Sequence, residues 1–260
     1  MARHRARKRF GQHFLTDPGV IDAITRAVHA DRDDIVVEIG PGQGAITAPL
    51  ARDAGHLHVI ELDRDLAAGL RARYAAAENV TVHEADALNF DFGALGDRLR
   101  IVGNLPYNIS TPLLFHLLHY RECILDMHFM LQKEVVDRLA ADPGSKAYGR
   151  LGIMLGCHLD VQPLFDVPPA AFEPPPAVNS AVVRLDPLPP GSFHIDDQQG
   201  LSSLVARAFS QRRKTLRNAL RDVADAEDFE AVGIDAGLRP EQVPVAGFVR
   251  LANHLAAKSR

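Results

Sequence analysis

A short apolar run gives way to three closely spaced glycines in Val37-Glu38-Ile39-Gly40-Pro41-Gly42-Gln43-Gly44-Ala45. This pattern is typical of a buried strand that ends in a tight turn and leads into a helix. Glycine adopts positive φ without steric cost, and it lets a ligand approach the main chain at the start of the helix. The stretch therefore predicts a nucleotide-binding α/β fold.

The chain around this loop, from about residue 19 to residue 135, alternates helical patterns with short apolar runs. Such alternation predicts a parallel sheet covered by helices, hence a Rossmann-like domain. Asp17-Pro18 and Thr111-Pro112 are helix-start signals, and they predict helices over Pro18–Val28 and Leu113–Leu118. The predicted strands are Ile35–Ile39, His58–Glu61, Val80–His83, Leu99–Val102 and Leu125–Met130.

The remainder of the chain changes character near residue 188. A proline-dense span, Pro168–Pro176, predicts an ordered loop, and the alternation in Val178–Leu185 predicts a last strand. Pro187–Gly191 resembles a linker, and residues 198–257 carry helical periodicity interrupted by glycines and prolines. We therefore expect one domain over residues 1–188, with a basic arm at 1–16, and a small all-helical domain over residues 189–260.

The composition is that of an ordinary globular protein. The 260 residues are 47% hydrophobic and 24% charged, and no apolar run approaches the roughly 18 residues of a membrane span. The arginine-rich start lacks the apolar segment of a secretory signal, so we expect a cytoplasmic protein, most simply a monomer. Cys123 and Cys157 lie in apolar segments and are expected in the core. His116 and His119 have helical spacing but no acidic or cysteine partner, so no metal is expected.

Basic residues are concentrated in two stretches of a chain whose formal net charge is −4. One stretch precedes the first acidic residue, Asp17, and the other spans residues 207–221. A solvated arm and an exposed helix face are the simpler interpretation, whereas phosphate binding is the more specific one. The candidate RNA-binding residues are Arg7, Lys8, Arg9, Arg212, Arg213, Lys214 and Arg217.

Carboxylates follow two predicted strands next to the glycine loop. Glu61 ends the second strand, where it can accept hydrogen bonds from both hydroxyls of a ribose. Asp86 follows the third strand and can accept from an adenine amine. Solvated acids and helix caps are the alternatives. The loop itself, read as Gly-x-Gly-x-x-Ala, matches the dinucleotide fingerprint, and read as an acidic residue before Gly-x-Gly-x-Gly it matches methyltransferases, so the ligand stays open.

Asn104-Leu105-Pro106-Tyr107 follows the fourth predicted strand, beside the expected reactive end of the cofactor. An adenine amine is a weak nucleophile, because its lone pair is delocalised into the ring. The Asn104 oxygen and the carbonyl of Leu105 or Pro106 could accept its two N–H groups and direct the lone pair at a methyl donor. Pro106 keeps the turn rigid. The tetrapeptide indicates a planar amine, such as adenine in DNA or RNA.

Aromatic side chains could hold the target base. Tyr107 offers a face for stacking, and Phe172 is a candidate for the opposite face, with a core role as the alternative. An adenine in a duplex would have to leave the stack to reach such a pocket. We therefore expect an unpaired or flipped base as the substrate.

Six segments in order give the chain a family resemblance over nearly its whole length. It resembles the ribosomal RNA adenine dimethylases, and within them the branch that acts on the small subunit. The matching segments are Phe10 to Leu15, Glu38 to Gly44, Asn104 to Ser110, Leu131 to Glu134, Phe172 to Ser180 and Gln211 to Asn218. Ala177 departs from the pattern, because many relatives carry a basic residue there.

The resemblance implies S-adenosylmethionine as cofactor and two adjacent adenines near the 3′ end of 16S ribosomal RNA, in the immature small subunit, as substrate. It implies cofactor contacts at the positions that match the family, with the target amine held at Asn104, Pro106 and Tyr107. The implied cofactor residues are His13, Leu15, Gly40, Gly42, Glu61, Asp86 and Asn104.

Three other functions are compatible with parts of the sequence. The branch that methylates a large-subunit adenine is disfavoured by the match over Arg212–Asn218. A ribosome-assembly or transcription factor without catalysis is disfavoured by Asn104 and Tyr107. A nicotinamide-dependent oxidoreductase fits the glycine loop, but the sequence shows no hydride-transfer constellation.

Overall fold

A computed structural model of the chain describes residues 13–258. The predicted basic residues Arg7, Lys8 and Arg9 lie outside the described residues. The strands are β1 (Phe14–Leu15), β2 (Ile35–Ile39), β3 (His56–Glu61), β4 (Val80–Glu84), β5 (Leu99–Asn104), β6 (Ile124–Gln132), β7 (Leu159–Val167), β8 (Phe172–Glu173) and β9 (Ser180–Pro187). The α-helices are α1 (Pro18–Val28), α2 (Thr47–Asp53), α3 (Arg64–Arg73), α4 (Ser110–Leu118), α5 (Lys133–Leu139), α6 (Arg150–Gly156), α7 (Gln198–Ser210), α8 (Leu216–Ala219), α9 (Ala226–Ala231) and α10 (Val245–Lys258).

The main sheet has seven strands in the order β4-β3-β2-β5-β6-β9-β7. Strands β2 to β6 pair in parallel, which confirms the predicted Rossmann-like α/β fold, while β9 runs antiparallel to β6. The chain moves outward from β2 to β4 and then returns to place β5 on the other side of β2. Ligands of such sheets bind where the strand order reverses, outside the carboxyl ends of the strands. That point lies between β2 and β5.

Helix starts follow the sequence signals closely at α1 and less closely at α4. The Asp17 carboxylate caps α1 by accepting hydrogen bonds from the backbone N–H groups of Gly19 and Val20, at 2.8 and 3.1 Å. At α4 the residue before the helix is Ile109, and no side chain caps it. Thr111 is thus inside the first turn and is not the cap that Thr111-Pro112 predicts. Proline is tolerated there because the first-turn N–H groups have no helical partner.

The chain divides into two compact units. Unit 1 contains the described residues up to Val136 together with Gln162–Pro187, and unit 2 contains Asp137–Val161 and the described residues from Leu188 onward. The single boundary expected near residue 188 did not assign 137–161 to the second unit. The physical reason is packing, since Ile153 and Met154 of α6 belong to the buried cluster of unit 2.

A network of charged side chains surrounds a buried carboxylate in unit 1. Asp126 on β6, 2% exposed, accepts a hydrogen bond of 2.6 Å from Arg100 on β5, and Arg184 on β9 lies 3.7 Å away. Arg100 also pairs with Asp34 at 2.9 Å. His128, which is 1% exposed, lies 3.7 Å from Asp126. The network joins three neighbouring strands, with the partly exposed Arg100 and Arg184 placed around the buried Asp126.

Asp126→Asn is expected to lower the free energy of unfolding by about 2 kcal/mol, because the half-buried guanidinium of Arg100 loses one of its two carboxylate partners. Urea titration measures this change. Asp22→Asn is the control, since the Asp22–Arg26 pair is exposed and should contribute less than about 1 kcal/mol. Wild-type stability in the Asp126 variant would contradict the prediction.

His128 gives the stability a pH dependence. Burial, with Arg184 and Arg100 adding to it, lowers the pKa of His128 to about 4. The pKa of a histidine in the unfolded chain is about 6.5, so the unfolded chain binds a proton below pH 6.5 that folded His128 does not bind until about pH 4. The free energy of unfolding is therefore full above pH 6.5 and falls between pH 6.5 and pH 4; at pH 5 the loss is about 2 kcal/mol.

Between urea titrations at pH 7 and at pH 5, the free energy of unfolding of His128→Asn should fall by about 2 kcal/mol less than that of the wild type. His194→Asn, at a position 84% exposed, should leave the difference unchanged. Equal losses in the His128 variant and the wild type would refute this assignment.

Candidate active site

One cavity lies at the carboxyl ends of the parallel strands in unit 1. The structure brings every candidate catalytic and cofactor residue of the sequence into its lining. These residues are His13, Leu15, Gly40, Gly42, Glu61, Asp86, Asn104, Pro106, Tyr107 and Phe172. The carboxyl ends of β2, β3, β4 and β5, together with the paired short strands β1 and β8, therefore position the candidate set.

The glycine loop forms one wall of this cavity. Gly42 has φ 57°, and its backbone N–H donates to Oε2 of Glu61 at 3.2 Å. A Cβ atom at Gly42 would lie 3.0 Å from the ring of Phe14. Both the positive φ and the close ring exclude a side chain at this position, so the main chain itself faces the cavity.

The carboxylates of Glu61 and Asp86, at the ends of β3 and β4, already accept hydrogen bonds from main-chain N–H groups. Glu61 is buried, and its Oε1 accepts from the backbone N–H of Asp63 at 2.8 Å. Burial raises the pKa of Glu61, while the backbone hydrogen bonds from Asp63 and Gly42 oppose the rise. Asp86 accepts from Leu88 N at 3.0 Å, so it caps a short turn, and it lines the cavity as well. Both side chains keep carboxylate lone pairs for further donors.

Glu38 contributes a buried acid beside the loop. It is 2% exposed, and its Oε2 has no hydrogen-bond partner among the described residues. Burial raises the pKa of Glu38 to about 8; the Thr47 hydroxyl lowers it in part, and Glu61 raises it further. An acid with a strongly raised pKa that lines a cleft is typical of a functional site.

Asn104 is anchored by the segment that precedes β1. Its Nδ2 donates to the main-chain carbonyl of His13 at 3.1 Å. This bond directs the amide nitrogen toward His13, and the structure shows no donor to Oδ1 among residues 13–258. The main chain beyond it is held as well, since the N–H of Leu105 donates to the carbonyl of Met130 at 3.2 Å. The amide oxygen is therefore presented as an acceptor.

Tyr107 is held at both its main chain and its side chain. Ser110 Oγ donates to the Tyr107 carbonyl at 3.2 Å, and the phenol hydroxyl lies 3.0 Å from Ser180 Oγ. The ring is nearly parallel to that of His13, with centroids 6.2 Å apart and 25° between the planes. Phe172 lines the same cavity but is only 4% exposed and belongs to the buried cluster of unit 1. Its predicted role as the second face of a base sandwich stays a prediction.

The basic residues of unit 2 divide into engaged and exposed groups. Arg212 donates to the carbonyl of Lys146 at 2.7 Å and lies 3.5 Å from Glu241, so it holds a neighbouring loop. Arg213, Lys214 and Arg217 are exposed, and no carboxylate within residues 13–258 forms an ion pair with them. These three are therefore the ones available to bind phosphate.

Three residues of the cavity and its walls were not singled out from the sequence. Leu62 is 54% exposed and lines the cavity next to Glu61. Phe14 packs against Gly42, and Ser180 bonds to Tyr107. Ser180 is the last residue of the Phe172–Ser180 segment that matches the family, so the sequence marks its position. Nothing in the sequence indicates that it bonds to Tyr107, which is 73 residues away.

A family model described as Ribosomal RNA adenine dimethylase matches residues 3–257. The chain belongs to this family. Membership identifies a methyltransferase, and it agrees with the cavity, whose lining includes both a glycine loop and an amide-bearing turn. The resemblance drawn from the six sequence segments is thereby confirmed.

Relatives and solved structures extend over the same length. A "Ribosomal RNA small subunit methyltransferase A" of Aromatoleum aromaticum is 56% identical over 259 residues, covering 100% of this chain and 97% of the relative. The protein of the same name from Pseudomonas aeruginosa is 55% identical, covering 97% and 96%. A dimethyladenosine transferase from Plasmodium falciparum has TM-score 0.83 and 27% identity, covering 95% and 98%. The 23S rRNA methyltransferase ErmE, with TM-score 0.76, 24% identity and coverage of 94% and 99%, shares the fold.

Two further features bear on ligands and membranes. Among residues 13–258, no three His, Cys, Asp or Glu side chains are grouped so that they could hold a metal ion. None of the described helices combines the length and the apolar character required to cross a bilayer.

Proposed function

We propose that the chain transfers methyl groups from S-adenosylmethionine to N6 of two adjacent adenosines near the 3′ end of 16S ribosomal RNA, within the immature small subunit. The observation that carries this proposal is the orientation of Asn104. Its amide nitrogen is bound by the His13 carbonyl, and its oxygen is left to accept from an amine at the end of a nucleotide cavity.

The residues present fit S-adenosylmethionine. The main chain at Gly42 lines the cavity without a side chain, and the Glu61 carboxylate to which it bonds can accept from two ribose hydroxyls. Asp86 can accept from the adenine amine, and the partnerless Oε2 of Glu38 is left to bond to a polar group of the cofactor. When bound, the cofactor supplies an electrophilic methyl group on a positively charged sulfur.

The chain's own residues contribute by positioning the target amine and by accepting hydrogen bonds from it. Asn104 Oδ1 and the carbonyl of Leu105 or Pro106 accept the two N–H groups of the target amine and direct its lone pair. As the nitrogen becomes tetrahedral and gains positive charge, these hydrogen bonds strengthen, which lowers the barrier without a strong base. The methylated nitrogen then loses one proton to water and becomes neutral again. One N–H remains, so the same acceptors can position the amine for a second transfer. Tyr107 holds the base by stacking.

The RNA is bound outside this cavity. We assign the exposed side chains Arg213, Lys214 and Arg217 of unit 2 to phosphate contacts, together with the predicted arm residues Arg7, Lys8 and Arg9. Residues 189–260 then serve mainly as an RNA-binding domain. Because phosphate contacts carry no sequence information, they orient the RNA while the cavity selects the base.

The deciding experiment offers labelled S-adenosylmethionine and the protein to under-methylated small and large ribosomal subunits in parallel. Mass spectrometry of the digested RNA identifies the modified nucleoside and its position. N6,N6-dimethyladenosine at two adjacent sites in small-subunit RNA is the expected result. Label confined to large-subunit RNA, or label on another atom, would overturn the proposal.

Arg213→Ala with Lys214→Ala should weaken RNA binding and make its dependence on salt shallower by about 2 in the log–log slope, since each lost phosphate contact removes about one. Filter binding across a salt series measures the slope. Arg250→Ala is the control, because this exposed arginine of unit 2 binds the Val232 carbonyl. An unchanged slope in the double variant would remove these residues from the interface.

A further inference from the structure

The hydroxyl groups of Tyr107 and Ser180 share a hydrogen bond of 3.0 Å. Tyr107 lies in the turn after β5, and Ser180 is the first residue of β9. In the sheet, β6 lies between these strands, so the bond passes across the end of β6, where Ser180 pairs in register with Gln132. Ser180 is 1% exposed, which keeps water from competing for the bond.

The surroundings of Ser180 make it a fixed anchor. The carbonyl of the preceding residue, Asn179, accepts from the N–H of Lys133 at 3.0 Å. The main chain of Tyr107 is held separately by Ser110, as described above. The two serines therefore have different effects: Ser110 holds the turn, whereas Ser180 bonds to the far end of the ring.

We propose that Ser180 is a positioning residue for the target adenine, acting through Tyr107. Rotation of the Tyr107 side chain would break the bond to Ser180, so the bond limits the ring to one orientation. A base stacked on that ring is then held at one angle to the acceptor of Asn104. Small errors in such an angle reduce turnover because the reacting atoms leave their productive geometry. This inference rests on the proposed function.

A double-mutant cycle tests the coupling between the two hydroxyls. Ser180→Ala and Tyr107→Phe each remove the same bond from opposite sides, so each should lower kcat about fivefold, the effect of one net hydrogen bond. The double variant should be no slower than either single variant, and KM for S-adenosylmethionine should stay within about twofold of the wild type in all three. Ser192→Ala, which removes an exposed hydroxyl bound to Pro189 in unit 2, should leave kcat unchanged.

Multiplying effects, about 25-fold in the double variant by the same hydrogen-bond value, would show that the hydroxyls act independently and would overturn the proposal. Wild-type kcat in the Ser180 variant would overturn it as well. Because Tyr107→Phe removes the bond without touching Ser180, the proposal stays testable if Ser180→Ala fails to fold.

A spectroscopic readout separates this inference from the proposed function. The chain has four tyrosines and no tryptophan, so the NMR signals of Tyr107 can be assigned by their loss in Tyr107→Phe. In Ser180→Ala the hydroxyl proton of Tyr107 should exchange faster with water and the ring signals should shift, with no RNA present. If the wild type methylates neither subunit, the proposed function fails while this measurement still reports on the bond. Unchanged Tyr107 signals in Ser180→Ala would refute the anchoring.

Discussion

Asn104→Ala should reduce kcat for methyl transfer by about 10²–10³-fold, the usual effect of removing one preorganised polar group from a reacting centre. The substitution removes the acceptor that binds an N–H of the target amine in both the ground state and the transition state. Because that hydrogen bond strengthens as the nitrogen becomes positive, the loss appears mainly in kcat. Initial rates with labelled cofactor and under-methylated small subunits measure the effect.

The anchoring of Asn104 by His13 adds a second variant to this experiment. Asn104→Asp keeps an oxygen acceptor but replaces the donor to the His13 carbonyl, so the two oxygens repel and the side chain should rotate. Its turnover should therefore also fall. Asn253→Ala removes an amide that bonds to the main chain of unit 2, at His194 and Asp196, and should keep normal turnover. Near-normal kcat in Asn104→Ala, with the fold intact, would eliminate the amine-positioning role.

The interior of the parallel sheet could be predicted because its strands are apolar on both faces. Strand β2 has the predicted bounds, and the other parallel strands extend one or two residues further at one or both ends. The last strand, β9, begins and ends two residues later than predicted. Those extra residues are set by pairing, as at Gln132, which is in register with Ser180. Strand β7 did not stand out from the sequence, because it lies at the sheet edge, contains Pro163 and is largely exposed. Its alternation of apolar and polar residues is interrupted at Pro163-Leu164, and it contains no apolar run of the kind found in buried strands.

The candidate site also contains residues that the sequence predicts and residues that it does not. The glycine loop and the Asn104–Tyr107 turn could be found because backbone conformation and amine chemistry each demand particular residue types. The anchors of these groups could not, since the His13 carbonyl and the Ser180 hydroxyl are 91 and 73 residues from their partners. Every residue has a main-chain carbonyl, so the residue type at position 13 gives no sign that its carbonyl is an anchor. Arg212 shows the opposite case, because a basic residue in a basic stretch proves to hold the main chain of its own unit.

Glu61→Ala should weaken S-adenosylmethionine binding by about 100-fold or more, because charged hydrogen bonds to two ribose hydroxyls contribute about 1.5–3 kcal/mol each. The substitution also leaves the N–H groups of Gly42 and Asp63 without their carboxylate acceptor, which loosens the glycine loop against β3. Both effects act on the free enzyme, so isothermal titration with the cofactor alone, without RNA, measures them directly.

Glu84 offers a matched control for Glu61. It is the register partner of Glu61 on the neighbouring strand β4, but its carboxylate pairs with Arg71 at 3.0 Å and does not line the cavity. Glu84→Ala therefore removes the same side chain from the same row of the sheet and should leave cofactor binding within about twofold of the wild type, as surface ion pairs contribute little. Equal weakening in the two variants would mean that Glu61 acts through sheet stability or net charge. A selective loss in Glu61→Ala ties the cofactor to the end of β3, in the cavity that Asn104 also lines.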